Sequence, residues 1–395
     1  MDIDQLAALR TPEGSAALAA AAELAGGDPL ASAAALRAAG VPAGLAASAL
    51  TQAELRRRAV GKFGPAAGGM FFTRAGLEQA TRRPVADRRA ARLRAAGVRT
   101  LADLGCGLGA DALAAARAGI RVYGVEADPV TAAMAAANAE AAGLAGEFTV
   151  ECGDATAFDV TRVDGVFCDP ARRRAGTGRR IFDPNAYSPP WDFVLRLAER
   201  VPYTVVKVAP GIDHALIPAG AEAEWVSADG DLVEAALWCG RLAEVPRRAT
   251  VLRGDVVHRL TGSGAAEASV GPTRRFLYDP DPAVVRAHLV AELADALGAT
   301  IADPSIAYLY ADTPTVTPFA RCLEVTDVLP FSLKRLRALL RERRVGRVEI
   351  LKRGSALEPE KLRRDLRLAG DAAASLVLTR VAGAPTVLLC RPVAS

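Results

Sequence analysis

Lysine is scarce in this 395-residue chain. Of its 49 basic residues only Lys62, Lys207, Lys334, Lys352 and Lys361 are lysine, and the rest are arginine. A lysine-poor, alanine-rich composition accompanies GC-rich coding sequence, so the arginine total alone names no partner. Histidine is nearly absent: His214, His258 and His288 stand far apart without an HExxH string. That argues against a histidine-based metal site. The six cysteines form no CxxC pair, which speaks against zinc ribbons and redox dithiols and suits a reduced, cytoplasmic protein. The start, MDIDQLAALR, lacks the basic, apolar, small-residue order of a signal peptide. The most apolar early stretch, residues 15–25, is mostly alanine and contains Glu23, too short and too weakly apolar for a bilayer. Neither a metal nor a membrane is expected as a partner.

What is present reads as globular: 51% hydrophobic and 24% charged residues over a length sufficient for two or three domains. Residues 1–60 read as short helices, with Thr11-Pro12 and Asp28-Pro29 as capping pairs and a last helix from Pro42 to Ala59. Residues 61–97 form a basic connector. Over residues 98–260 strands alternate with helices, at 99–104, 121–125, 148–151, 163–168 and 203–208, which predicts a parallel sheet with helices on both faces. Strands at 222–227 and 232–239, joined through Asp229-Gly230, predict an antiparallel hairpin at the sheet edge. A linker is expected at 261–271. Residues 272–395 form a further α/β unit, with helices at 281–298, 332–344 and 359–368.

The sharpest chemical signal is LADLGCGLGAD, residues 101–111, between a strand and a helix. Gly105, Gly107 and Gly109 permit a tight turn and close approach of a ligand. With Ala110 the string also satisfies the loose dinucleotide fingerprint, so a nicotinamide cofactor is one reading of the loop. Glu126 ends the second strand, where a carboxylate can accept both hydroxyls of a ribose. Asp154 follows the third strand, where an acid can meet an adenine amino group. Asp169, in VFCDPARRR, ends the fourth. All four positions lie at carboxyl ends of strands, where open α/β sheets bind ligands.

This run resembles the class I S-adenosylmethionine-dependent methyltransferases. DLGCGLG, VEAD and GDA match three of their motifs, which implies S-adenosylmethionine held by Asp103, Gly105, Gly107, Gly109, Glu126, Asp154 and Ala155. DPARRRAG is similar to the DPARAG string of RNA uridine-C5 methyltransferases. Their nucleophilic cysteine, expected after the fifth strand, is replaced here by Lys207-Val208-Ala209-Pro210. Cys168 reads as a core residue of the preceding strand. The implied mechanism is direct in-line transfer, with Asp169 contacting the acceptor and Pro170 shaping the loop. Arg172 and Arg173 would bind an anionic substrate or its phosphates. Phe71, Phe72, Thr73 and Gln79 either line the cofactor pocket or pack a helix onto the sheet.

The whole chain resembles a bacterial family of class I methyltransferases with a THUMP-like C-terminal domain. The implied fold is α/β: a Rossmann-like class I methyltransferase sheet, an N-terminal helical domain and a C-terminal α/β THUMP-like domain. THUMP modules bind RNA in tRNA-modifying enzymes, so the resemblance implies RNA, tRNA or rRNA, as substrate. Charge placement supports that reading. Net charge is +7 over residues 61–102, −8 over 103–170 and +5 over 171–180. Arginine flanking an acidic core suits a polyanion. The alternatives are a methyltransferase of small molecules or proteins, or a non-catalytic RNA-binding protein retaining the fold.

Overall fold

The computed structural model describes residues 1–170 and 189–393. The chain divides into two compact units. The first comprises Met1–Val208, Pro218–Ala221 and Ala236–Glu244; the second comprises Ala209–Ile217, Glu222–Ala235 and Val245–Ser395.

The first unit opens with four helices, α1 (Ile3–Leu9), α2 (Pro12–Glu23), α3 (Pro29–Ala38) and α4 (Ala43–Phe63). Asp2, Thr11 and Asp28 cap the first three by accepting the backbone N–H of Gln5, Gly14 and Ala31, each satisfying a donor that a helix start leaves without a partner. Helix α1 adds to the sequence expectation, and α4 runs one turn beyond Ala59. Two more helices follow, α5 (Arg74–Gln79) and α6 (Arg83–Ala95).

Five parallel strands come next: β1 (Thr100–Leu104), β2 (Arg121–Glu126), β3 (Phe148–Cys152), β4 (Gly165–Cys168) and β5 (Tyr203–Val208). They lie in the order β3-β2-β1-β4-β5. Helices α7 (Ala110–Arg117), α8 (Pro129–Ala141) and α9 (Trp191–Arg200) connect them. Alanine dominates α7 and α8, and most of those alanines are buried, so these helices present little bulk toward the core. In α9, Trp191, Val194 and Leu197 recur at helical spacing and are the buried residues. The strand order reverses direction between β1 and β4, which is where a doubly wound sheet opens a crevice.

Next, β6 (Glu222–Ala228), of the second unit, and β7 (Asp231–Gly240), whose residues from Ala236 on belong to the first, meet at Asp229-Gly230, with φ of 51° and 88°. Two consecutive left-handed residues make the hairpin turn that the DG pair predicts. The hairpin was expected at the sheet edge. Instead β8 (Arg247–Arg253) runs parallel to β6, and β9 (Val256–Gly262) pairs antiparallel with β8. Apolar residues of β8, such as Ala249 and Val251, are wholly buried, and no strand was expected there.

A seven-stranded sheet completes the unit: β10 (Phe276–Pro280), β11 (Thr300–Ile301), β12 (Leu309–Ala311), β13 (Ala320–Pro330), β14 (Val345–Lys352), β15 (Ala372–Val381) and β16 (Ala384–Pro392). Its order is β11-β12-β10-β13-β16-β15-β14. The single helix expected over 281–298 is two, α10 (Pro282–Arg286) and α11 (Val290–Leu297), broken where His288 adopts φ 59°. Helices α12 (Leu333–Glu342) and α13 (Pro359–Leu366) bury Leu336, Leu340, Leu362 and Leu366 in one cluster with Leu376, Leu378, Val387 and Leu389 of β15 and β16.

Candidate functional site

Register alone gathers the site. Leu104 of β1 lies level with Val125 of β2 on one side and Cys168 of β4 on the other. Cys168 is in turn level with Val206 of β5. The next residue of each strand, Gly105, Glu126, Asp169 and Lys207, therefore stands at the same height. On the far side Glu126 pairs with Cys152 of β3, and Gly153 donates to the Glu126 carbonyl at 3.0 Å. The expected ligand-binding positions thus emerge together at the carboxyl edge of the sheet.

The glycine loop needs its glycines for separate reasons. Gly105, Gly107 and Gly109 all have left-handed φ, at 87°, 55° and 83°, which L side chains adopt at a cost. A Cβ at Gly109 would also meet the Phe148 ring at 2.7 Å, whereas one at Gly105 would make ordinary contact, 3.6 Å from the Asp169 carbonyl oxygen. At Gly107 a Cβ would meet nothing within 4 Å, so the middle of the loop faces open space. Glu126 closes the loop from below. It accepts the N–H of Gly107 and of Asp128, both at 3.0 Å.

Asp103 is 1% exposed, and its Oδ1 has no partner among the described residues. Burial, and then the neighbouring Asp111 and Asp169, push its pKa well above the usual carboxylate range. A buried acid held in this way is matched by a cationic group arriving beside it, and the methionyl end of S-adenosylmethionine carries one. The residues present therefore fit that cofactor: an open glycine loop, an unmatched buried acid and an acid at the end of β2. Asp154 is exposed and caps the short turn that follows it, accepting Thr156 N–H at 2.8 Å. That backbone contact holds its pKa below the usual range. Ala155 next to it is half-buried.

Asp169 is not solitary. Its Oδ2 accepts from Lys207 Nζ at 2.7 Å, and Lys207 also donates to Thr81 Oγ1 at 3.0 Å. The Thr81 hydroxyl in turn donates to Asp111 Oδ2 at 2.6 Å, and Asp111 Oδ1 accepts from Arg89 at 3.0 Å. Burial works against the Asp111 charge, but Arg89, Lys207 and the Thr81 hydroxyl outweigh it and leave its pKa lowered. Sequence reasoning missed Lys207, Thr81 and Asp111. Lys207 had one available signal, as one of only five lysines and placed at the end of a core strand beside the expected acid. Pro170 is buried at the loop start. Arg172 and Arg173 lie outside the described residues.

Cys168 is fully buried, and burial with Asp169 and Asp103 nearby pushes its thiol pKa well up, as its core reading requires. Phe72 is wholly buried against Phe63, with ring centroids 5.6 Å apart, and Thr73 caps α5 through Gly76 N–H. The segment carrying them is strapped by two buried carboxamides. Gln52 exchanges two hydrogen bonds with the Phe72 backbone. Asn138 does the same with Phe71 and donates in addition to Leu108 O in the glycine loop, at 3.0 Å. A Cβ at Gly76 would meet the Leu108 side chain at 2.7 Å, so α5 lies directly on that loop.

Part of the arginine excess is internal. Arg89 is 2% exposed and pairs with Asp111. Arg92 stacks 4.0 Å from the Trp238 ring and donates to Leu242 O. These two arginines of the basic connector hold α6 onto the sheet, so the connector's positive charge overstates what it presents to solvent.

The chain is similar to known proteins. A methyltransferase-domain profile matches residues 101–173, a THUMP domain-like profile matches 320–392, and a domain of unknown function matches 2–59. Two Mycobacterium tuberculosis proteins, from strains CDC 1551 and H37Rv, are each 38% identical over 352 residues, covering 86% of this chain and 95% of theirs. Both are described as uncharacterized S-adenosylmethionine-dependent methyltransferases. The crystal structure of a Porphyromonas gingivalis W83 protein proposed to be a methyltransferase shares the fold, with a TM-score of 0.73 at 21% identity over 96% of this chain and 99% of that one.

Proposed function

Because the chain belongs to the S-adenosylmethionine-dependent methyltransferases, we propose that it methylates RNA by direct in-line transfer, with Asp169 as the acceptor-binding residue. The observation that carries this reading is the position of Asp169. Its backbone adjoins Gly105 of the glycine loop, and Lys207 grips its carboxylate by one oxygen. Among the described residues Oδ1 has no partner and remains for a substrate hydrogen.

S-adenosylmethionine supplies, when bound, a methyl group already activated by the sulfonium. The protein's task is then to hold the acceptor in line and manage its proton. Glu126 would take the ribose hydroxyls, Asp154 and Ala155 would border the adenine, and Asp103 with the glycine loop would hold the methionyl end. Lys207 fixes the carboxylate of Asp169, and Pro170 stiffens the turn that carries it. No cysteine takes part: Cys168 is buried and Lys207 stands where a nucleophile would be needed. Arg172 and Arg173 follow directly and would meet substrate phosphates.

Three features support RNA as the acceptor. The THUMP-like match covers the part of the chain that RNA-modifying enzymes devote to RNA. Within it Arg321, Arg347 and Arg363 line an open groove of about 600 Å³. Arg347 there is exposed and, like Lys334, Arg335 and Arg341 on and around α12, has no ionic partner among the described residues. The test is mass spectrometry of nucleosides from tRNA and rRNA of cells with and without the gene. One methylated nucleoside missing without the gene supports the reading. Identical profiles would transfer it to small molecules or proteins.

A further inference from the structure

Helices α1, α2, α4 and α8 border a groove of about 540 Å³, within the size range of small-molecule sites. None of its lining residues is among those proposed above to hold the cofactor or the acceptor, and Phe71 reaches the glycine loop only through its backbone bonds to Asn138. Leu9, Leu18, Phe71 and Ala137 supply apolar wall, and Arg10 and Glu140 on its rim neutralise each other in an ion pair.

Arg56 does not fit that pattern of local pairing. It is half-buried, its Nε donates to Met70 O at 2.8 Å, and its guanidinium sits 5.0 Å from the centre of the Phe71 ring. Among the described residues no carboxylate pairs with it, and its two terminal nitrogens have no partner. Burial alone acts on its titration, lowering its pKa. Arg57 on the same helix, by contrast, is paired with Glu54 at 2.8 Å. A partly desolvated cation without a counter-charge is costly, and such groups are normally paired. The groove's mouth is also kept open. Gly68 and Gly69 line it, neither has a left-handed φ, and a Cβ on either would meet nothing within 4 Å. Their conformation does not require glycine; what glycine leaves there is room.

We propose that this groove binds a small organic anion, a carboxylate or phosphate monoester on an apolar body, with Arg56 as the anchor of the anionic head. A guanidinium fork presents two parallel donors to such a group, and the Leu18 and Phe71 walls take the apolar part. The proposal is independent of the RNA reading, since it uses none of the residues assigned there.

Calorimetry on the full chain tests it, with benzoate and phenyl phosphate as probes and inorganic phosphate as the head group alone. At least one aromatic probe should bind with a submillimolar Kd and the inorganic ion at least tenfold more weakly. The preferred aromatic probe decides between carboxylate and phosphate. Arg56→Met should weaken binding at least tenfold, Arg56→Lys less, and S-adenosylmethionine affinity should stay within twofold. Gly68→Leu, which fills the mouth and leaves Arg56 in place, should also abolish probe binding, so the test does not depend on Arg56→Met folding. The proposal is overturned if neither probe binds the native chain, if both variants bind as the native chain does, or if S-adenosylmethionine competes with the probe.

Discussion

Lys207 donates to Asp169 across 2.7 Å, joining the ends of two neighbouring parallel strands beside the glycine loop. The lysine side chain is 13% exposed and the aspartate 33%. The aspartate is therefore the member of the pair that reaches outward, and the lysine is the member that is fixed.

Two substitutions separate their roles. Asp169→Ala should lower methyl transfer by about 10²–10⁴-fold, the range for a positioned proton-handling group, with S-adenosylmethionine affinity nearly unchanged. Lys207→Met should lower kcat while leaving the cofactor Kd within about threefold, and Lys207→Arg should recover part of the loss. Single-turnover rates beside equilibrium binding check this. Native rates in Asp169→Ala would remove it from the mechanism.

Glu126→Ala should weaken S-adenosylmethionine binding by about 1–3 kcal/mol, the penalty for leaving buried polar groups unmatched. Some of that loss comes from freeing the N–H groups of Gly107 and Asp128. Glu126→Gln retains an acceptor for one of them and should lose less. Calorimetric Kd values decide, and unchanged affinity in Glu126→Ala would reject the ribose assignment.

Asp103 gives a pH dependence of definite sign. Its folded pKa lies above the unfolded value near 3.9. The folded chain therefore keeps this proton longer, and the associated stability is lost as pH rises from about 4 through the raised pKa. Asp103→Asn should accordingly stabilise the ligand-free protein at neutral pH by about 1–3 kcal/mol. The cationic end of S-adenosylmethionine favours the carboxylate, so binding should release a proton and strengthen with rising pH. Calorimetry in buffers of different ionisation enthalpy reads that release. It should vanish in Asp103→Asn, and persistence there would assign the proton elsewhere.

Asn138→Ala removes three hydrogen bonds at a fully buried position and leaves the Phe71 N–H, Phe71 carbonyl and Leu108 carbonyl without their partner. Unfolding free energy should fall by about 3 kcal/mol or more. Cofactor binding should weaken too, because Leu108 belongs to the glycine loop. Denaturant unfolding and calorimetry check both effects, and a loss of stability with native affinity would uncouple strap from loop.

Much of this was legible in the sequence because strand edges are local. LADLGCGLGAD, VEAD, GDA and VFCDP each carry their own strand end, so register brings Gly105, Glu126 and Asp169 to one height without any long-range information. Lys207, Thr81 and Asp111 were illegible for the opposite reason: their meaning lies in contacts between segments 30 to 126 residues apart. Charge counting failed in the same way. Arg89 and Arg92 add to a basic total, yet a count cannot tell a cation stacked on Trp238 from one in solvent. Strands β11 and β12 escaped because they are two and three residues long, too short for a period-two pattern to show.

The central claim is methyl transfer to RNA through Asp169. Its most direct test is incorporation of tritiated methyl from S-adenosylmethionine into total RNA from cells lacking the gene. Native protein and Asp169→Asn should be compared at equal cofactor saturation. Label is expected in RNA with native protein and at least 100-fold less with the variant, in the range of a lost proton-handling group. Label confined to protein or small-molecule fractions, or equal labelling by both proteins, would contradict it.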